Sequence, residues 1–184
     1  MNYTRHLVLA SLGLIALLPL SAAESASRTG WYAEAGPSVG FFGDDFKTAV
    51  GGSLGLGYRL QSSRAVEHAV ELEVSTFRSE MESWWWWNDK VTFTPLLAKY
   101  KAEFPLGQAR KWSLFVAPAI GTMFVKHPWV KDTAFAGGGE FGGAFRASDR
   151  VQLSLSGTSL YMSSTDITTK GSVGMLHLRA QFRF

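Results

Sequence analysis

The segment MLHLRAQFRF, residues 175–184, alternates without a break. Leu176, Leu178, Ala180, Phe182 and Phe184 share one face, and His177, Arg179, Gln181 and Arg183 share the other. A period of two with one apolar and one charged face is the signature of a strand, since successive side chains point to opposite sides of a sheet. The same alternation recurs upstream and predicts seven more strands, near 30–42, 48–60, 66–78, 91–104, 111–125, 133–146 and 151–162. Each is roughly a dozen residues, long for a soluble sheet and adequate for a tilted membrane strand. Leu54, Leu72, Leu114, Leu153 and Phe182 fall on the predicted apolar face.

The connections alternate in character. QSSRA, PLGQAR and ASDR are short and turn-forming, whereas GDDFK, SEMESWWWWND, KHPWVKD and SSTDITTKG are longer on average. Short turns at one end and longer loops at the other, joining strands that are apolar on one side, predict an all-β fold: an eight-stranded antiparallel transmembrane β-barrel. The competing reading is a soluble sheet with a solvated charged face. It leaves the outward aromatic residues at the strand ends unexplained.

The N-terminus places this barrel outside the cytoplasm. Arg5 precedes an apolar run from Leu7 to Leu20, followed by Ser21-Ala22-Ala23. A basic start, an apolar stretch and small residues at a cleavage site predict a signal peptide over residues 1–23 and a barrel domain over 24–184. A membrane anchor is the alternative, but the run is shorter than the ~20 residues a helical span needs. Removing the leader leaves about 160 residues, enough for one domain. Cysteine is absent, so an exported chain must be held by something other than disulfides. The 19 glycines and 14% aromatic residues suit strands with turns and interface girdles. A formal charge of +3, partly contributed by the leader, gives no reason to expect a nucleic acid partner.

The face opposite the apolar one carries Glu34, Arg59, Glu67, Glu71, Glu73, Lys99, Lys101, Glu103, Glu140, Arg146, His177, Arg179 and Arg183. With the third hairpin centred on Trp86, Glu73 faces Lys99 and Glu71 faces Lys101. A turn centred near Ser63 sets Arg59 opposite Glu67. Opposite charges across strands support such a register. The interior of an eight-stranded barrel is just wide enough for side chains to fill. Arg59, Glu67, Glu71, Glu73, Lys99 and Lys101 are therefore expected to pair inside it and plug it, with arginines of the last strand nearby.

Segments such as GWYAEAGPSVGFF, VGGSLGLGYRL, LLAKYKAEFPLG, LFVAPAIGTMF and the terminal LRAQFRF resemble the small outer-membrane β-barrel domain family, which includes the OmpA-type transmembrane domain and OmpX-type surface proteins. The resemblance spans the whole chain after the leader. Its motifs are specific for fold and weak for function. It implies a bacterial outer membrane, no cofactor, and terminal aromatic residues, Phe182 and Phe184, read by the barrel-assembly machinery. No peptidoglycan-binding domain is expected after Phe184, so a tethering role is not carried over.

Three classes of function remain. The first is a structural or surface-interaction barrel, expected as a single copy in contact with outer-membrane lipid and lipopolysaccharide. Its candidate contacts are Trp84, Trp85, Trp86 and Trp87 on one long loop and Trp129 on the next, with Lys90, Lys126 and Lys131 available to acidic lipopolysaccharide groups. The same tryptophans also suit an extended aromatic girdle, with two of the four touching the head groups, and one sequence does not choose between the two. The second is passage or binding of small hydrophobic molecules, as proposed for OmpW-type barrels. The third is an enzyme like the PagL-type lipid A deacylases, which place a histidine two residues before a nucleophilic serine. None of His6, His68, His127 and His177 has a serine at that spacing, and the seventh strand, SGTSLYM, has no histidine. No catalytic, metal or cofactor residue is assigned.

Overall fold

The computed structural model describes residues 29–42, 48–60, 66–80, 90–127, 130–164 and 171–184. The expected leader lies outside them. Eight strands form a closed barrel in sequence order: β1 (Gly30–Phe41), β2 (Ala49–Arg59), β3 (Glu67–Glu80), β4 (Lys90–Leu106), β5 (Trp112–Lys126), β6 (Lys131–Arg146), β7 (Val151–Met162) and β8 (Gly171–Arg183). Every neighbouring pair is antiparallel, and β1 pairs with β8 to close the ring. Closure satisfies the strand edges, which a sheet in lipid cannot leave open.

The apolar positions lie outside. Leu54, Leu56, Leu72, Ile120, Leu155 and Leu178 are all more than half exposed, and lipid rather than water suits such a band. Aromatic residues rim it at two levels. Trp31, Tyr58, Trp112, Phe145 and Phe182 stand near the short-turn end. Phe41, Phe124, Phe135 and Tyr161 stand near the long-loop end. At ~3.3 Å per residue and a tilt of ~40°, the stretch of β1 from Trp31 to Phe41 covers about 25 Å, the height of a membrane band.

Two features depart from the expected geometry. Strands β3, β4 and β6 run to 14, 17 and 16 residues, longer than the spans expected for them, 66–78, 91–104 and 133–146. The hairpin registers are also displaced by two residues. Lys99 faces Glu71 rather than Glu73, Lys101 faces Ala69, and Arg59 also faces Ala69 rather than Glu67. A two-residue slip keeps every side chain on its original face, so alternation alone does not detect it.

The extra length of β3 and β4 has its own polarity. Toward the long-loop end their outward positions become Thr76, Arg78, Glu80, Lys90, Thr92 and Thr94, while Phe77, Val91 and Phe93 turn inward and are fully buried. Polar outside and apolar inside is the arrangement of a barrel in water. This hairpin stem therefore rises beyond the apolar band.

Candidate functional site

The lumen is filled by two layers of side chains. The layer toward the long loops is apolar. Phe42, Phe77, Phe93, Leu97, Met123, Leu160, Met162 and Met175 belong to one buried cluster. Phe42 stacks on Phe93 with ring centroids 4.0 Å apart and meets Phe77 edge-on at 5.4 Å.

Below it lies an ionic layer. Lys99 Nζ donates to Glu73 and Glu140 and lies 3.7 Å from Glu71. Arg179, projecting from β8, reaches across the barrel: its guanidinium sits 2.7 Å from Glu140, 2.6 Å from Glu73 and 3.1 Å from Glu34, and its Nε donates to Ser53 Oγ at 3.1 Å. Lys101 stands 3.8 Å from Glu34 and over the Phe115 ring. Tyr32 donates to Glu71 Oε2 at 2.8 Å. The strand facing β1 makes room for Tyr32. A Cβ at Gly57 would stand 2.2 Å from the Tyr32 ring, so only glycine fits there.

Nearer the short turns a second group forms around Arg59. It donates to Glu67, to Glu103 at 3.1 Å and to Gln152 at 3.2 Å. Arg146 meets Glu67 at 3.2 Å, and Arg183 donates to Gln152. Beneath the apolar layer, Glu34, Glu67, Glu71, Glu73, Glu103 and Glu140 thus balance Arg59, Lys99, Lys101, Arg146, Arg179 and Arg183. Buried charges are tolerated when paired in this way.

Two groupings among the described residues bear on chemistry. Oxygens of Glu34, Glu71 and Glu73 lie within 4.8 Å of one another, a spacing that suits a metal ion. The chain's own cations occupy that role: Arg179 meets Glu34 and Glu73, Lys99 meets Glu71 and Glu73, and Lys101 meets Glu34. Ser38 Oγ and His177 Nδ1 share a hydrogen bond of 2.7 Å, a pair that the 139-residue separation hides from any local motif. Both are sealed, at 2% and 1% exposure, and His177 Nε2 has no hydrogen-bond partner that would orient the ring as a base. A nucleophilic serine needs both access and an oriented histidine.

The molecule is thus an eight-stranded barrel with a lipid-facing apolar exterior and a filled lumen. The chain matches the outer membrane protein beta-barrel domain family over residues 10–184. It belongs to that family, and the protein is an outer-membrane β-barrel. No curated protein matches the chain in sequence. Among solved structures, it is similar to the Neisserial surface protein NspA, at 13% identity and a TM-score of 0.58, covering 88% of this chain and 100% of that one. It is also similar to Ail, the attachment invasion locus protein of Yersinia pestis, at 15% identity and a TM-score of 0.51, covering 87% and 100%. OprG from Pseudomonas aeruginosa follows at 7% identity and a TM-score of 0.50, covering 87% and 98%. At these identities the likeness is one of fold.

Family membership sets the barrel in outer-membrane lipid, with its short turns in the periplasm and its long loops outside. Trp84, Trp85, Trp86, Trp87 and Trp129 lie outside the described residues. Phe182 points outward, half exposed, and Phe184 N donates to Trp31 O at 3.1 Å. His68 faces outward and its Nδ1 shares a 2.8 Å hydrogen bond with Tyr100. The apolar layer and the central place of Glu140 were not anticipated from the sequence.

Proposed function

We propose that this protein is a surface-contact barrel: a scaffold with a filled lumen whose long-loop end binds the phosphate-rich lipopolysaccharide leaflet. The observation that carries this reading is the pairing of Lys126 with Lys131. Both point outward at the end of the β5–β6 hairpin, just beyond Phe124 and Phe135 of the outer girdle. Like charges directly opposite across two strands are destabilising, and an anion shared between them reverses the sign. Lipopolysaccharide places phosphates at that height above the acyl chains. Trp84 to Trp87 follow in sequence from the hairpin stem that rises past the apolar band, which favours contact outside the bilayer for them and, by proximity in sequence to Lys131, for Trp129. Phe182 and Phe184 serve assembly in this reading, as terminal aromatics of the last strand.

The test is mass spectrometry of lipopolysaccharide retained by the purified barrel. Lys126→Glu with Lys131→Glu is expected to retain several-fold less than the wild type while remaining heat-modifiable on gels. Equal retention rejects the reading. Recovery of deacylated lipid A would favour an enzyme instead, and steady conductance or uptake of a hydrophobic solute would favour passage through the lumen.

A further inference from the structure

The outer rim carries more than the lysine pair. Residues paired across the strands form rows around the barrel, and one such row runs Arg78, Thr92, Lys126, Lys131. All four side chains point outward. Arg78, Lys126 and Lys131 are exposed and Thr92 is half-buried. Among the described residues, none of the three cations makes a side-chain ion pair or hydrogen bond. The carboxylates nearby do not answer them. Glu80, the next outward residue on β3 after Arg78, stands opposite a further cation, Lys90, and Asp132 has lumen-side parity.

The row is not level. Followed backward through Val50, Val39, Leu176, Phe141 and Ala102, it returns to β3 at His68. One circuit therefore climbs from His68 to Arg78, about 25 Å along the barrel axis at ~3.3 Å per residue and ~40° tilt. Shared among the strands, this is a rise of about 3 Å from each to the next. Arg78 is thus level with Phe124 of the outer girdle, whereas Lys131 stands about 9 Å farther out. Thr76 and Thr94 lie outward just below Arg78 and Thr92. Among the described residues the hydroxyls of Thr76, Thr92 and Thr94 make no hydrogen bond, although they edge an apolar band.

Lipopolysaccharide is acidic at two such levels. The phosphates of lipid A lie next to the acyl chains, and the carboxylates and phosphates of the first core sugars lie above them. A guanidinium forks onto phosphate oxygens, and an ammonium acts as a point charge for either anion. We infer that the row is a two-level site for one lipopolysaccharide molecule. Arg78, with the hydroxyls of Thr76, Thr92 and Thr94, takes a lipid A phosphate, and Lys126 and Lys131 take the acidic core sugars. This rests on the lysine pair being a lipopolysaccharide contact and adds a preference for core-bearing lipopolysaccharide over lipid A alone.

The experiment uses the full barrel in phosphatidylcholine nanodiscs doped with lipid A or with lipid A carrying its innermost acidic core sugars, and reads retained lipid by native mass spectrometry. The wild type is expected to retain the core-bearing form several-fold better. Arg78→Gln is expected to lower retention of both forms about fivefold, the weight of one cation at an anionic surface. Lys126→Gln with Lys131→Gln is expected to lower only the core-bearing form, to the level of lipid A. Thr92→Lys, which adds a cation between Arg78 and Lys126, is expected to raise retention of both, and this opposite sign keeps the test decisive if a loss variant inserts poorly. Loss in the lysine variant with no change in Arg78→Gln, or equal retention of the two forms by the wild type, overturns the inference and leaves the surface-contact reading standing. No change in any variant overturns both.

Discussion

The two layers of the lumen close the same barrel by different physics. The ionic layer is specific. Lys99 and Arg179 each touch three carboxylates, from two strands for Lys99 and three for Arg179, and the two cations share Glu73 and Glu140. The apolar layer is cumulative. Phe42, Phe77, Phe93 and Met123 contribute area and packing, so any one of them is a fraction of the whole. The first layer lies where the outer surface meets lipid. The second coincides on β3 and β4 with an outer surface that has turned polar. A charged interior suits a strand whose apolar face is needed outside, and an apolar interior suits one whose outside meets water.

Breaking the ionic layer should cost most. Lys99→Met leaves Glu71, Glu73 and Glu140 with Arg179 as their main cation and is expected to destabilise the barrel by about 4 kcal/mol. Adding Glu140→Met should recover a large part of it, because a buried charge is removed with its partner. Urea unfolding in detergent micelles measures both, and strictly additive losses would refute the coupling. The same change at exposed Lys131 should stay within about 0.5 kcal/mol.

The apolar layer should respond less and without rescue. Met123→Ala is expected to cost about 3 kcal/mol through the cavity it leaves. Planar-bilayer recordings should still show no steady current, because the ionic layer below is untouched. An open channel in this variant would assign the seal to the apolar layer alone. A smaller effect than at Lys99 or Met123 is expected where β2 meets β1 beside the ionic layer. Gly57→Ala drives a methyl group into Tyr32 and should cost about 1–3 kcal/mol, partly restored by Tyr32→Leu in the same chain. Insensitivity to the alanine would mean that Tyr32 can leave Glu71 without loss.

How much of this was legible follows from what alternation encodes. Period two gives strand number and side-chain parity, so the eight strands and the inward face of Glu71, Glu73, Lys99 and Lys101 can be read directly. Parity is blind to a slip of two, which is why Lys99 was expected opposite Glu73. The long lysine side chain reaches Glu73 from the displaced register all the same. The apolar layer was illegible for a different reason. Apolar positions were assigned to the outside throughout, and the inversion at Phe77, Val91 and Phe93 requires knowing where the strand leaves the bilayer. Contacts between strands that are not neighbours, such as Arg179 with Glu140 or Ser38 with His177, depend on closure of the ring and leave no local trace in the chain.

Arg179 and Arg183 have a consequence for the order of assembly. The first seven strands bring six of the lumen's carboxylates but only Arg59, Lys99, Lys101 and Arg146 to meet them. A sheet not yet joined by β8 is thus two positive charges short. The last strand supplies both as it seats between β7 and β1, so the seam that completes the backbone ladder is also the step that neutralises the interior. Closure acts as an electrostatic latch: reopening the β1–β8 seam would part Arg179 from Glu34 across it, so unzipping where the first and last strands meet separates a buried ion pair as well as a backbone ladder.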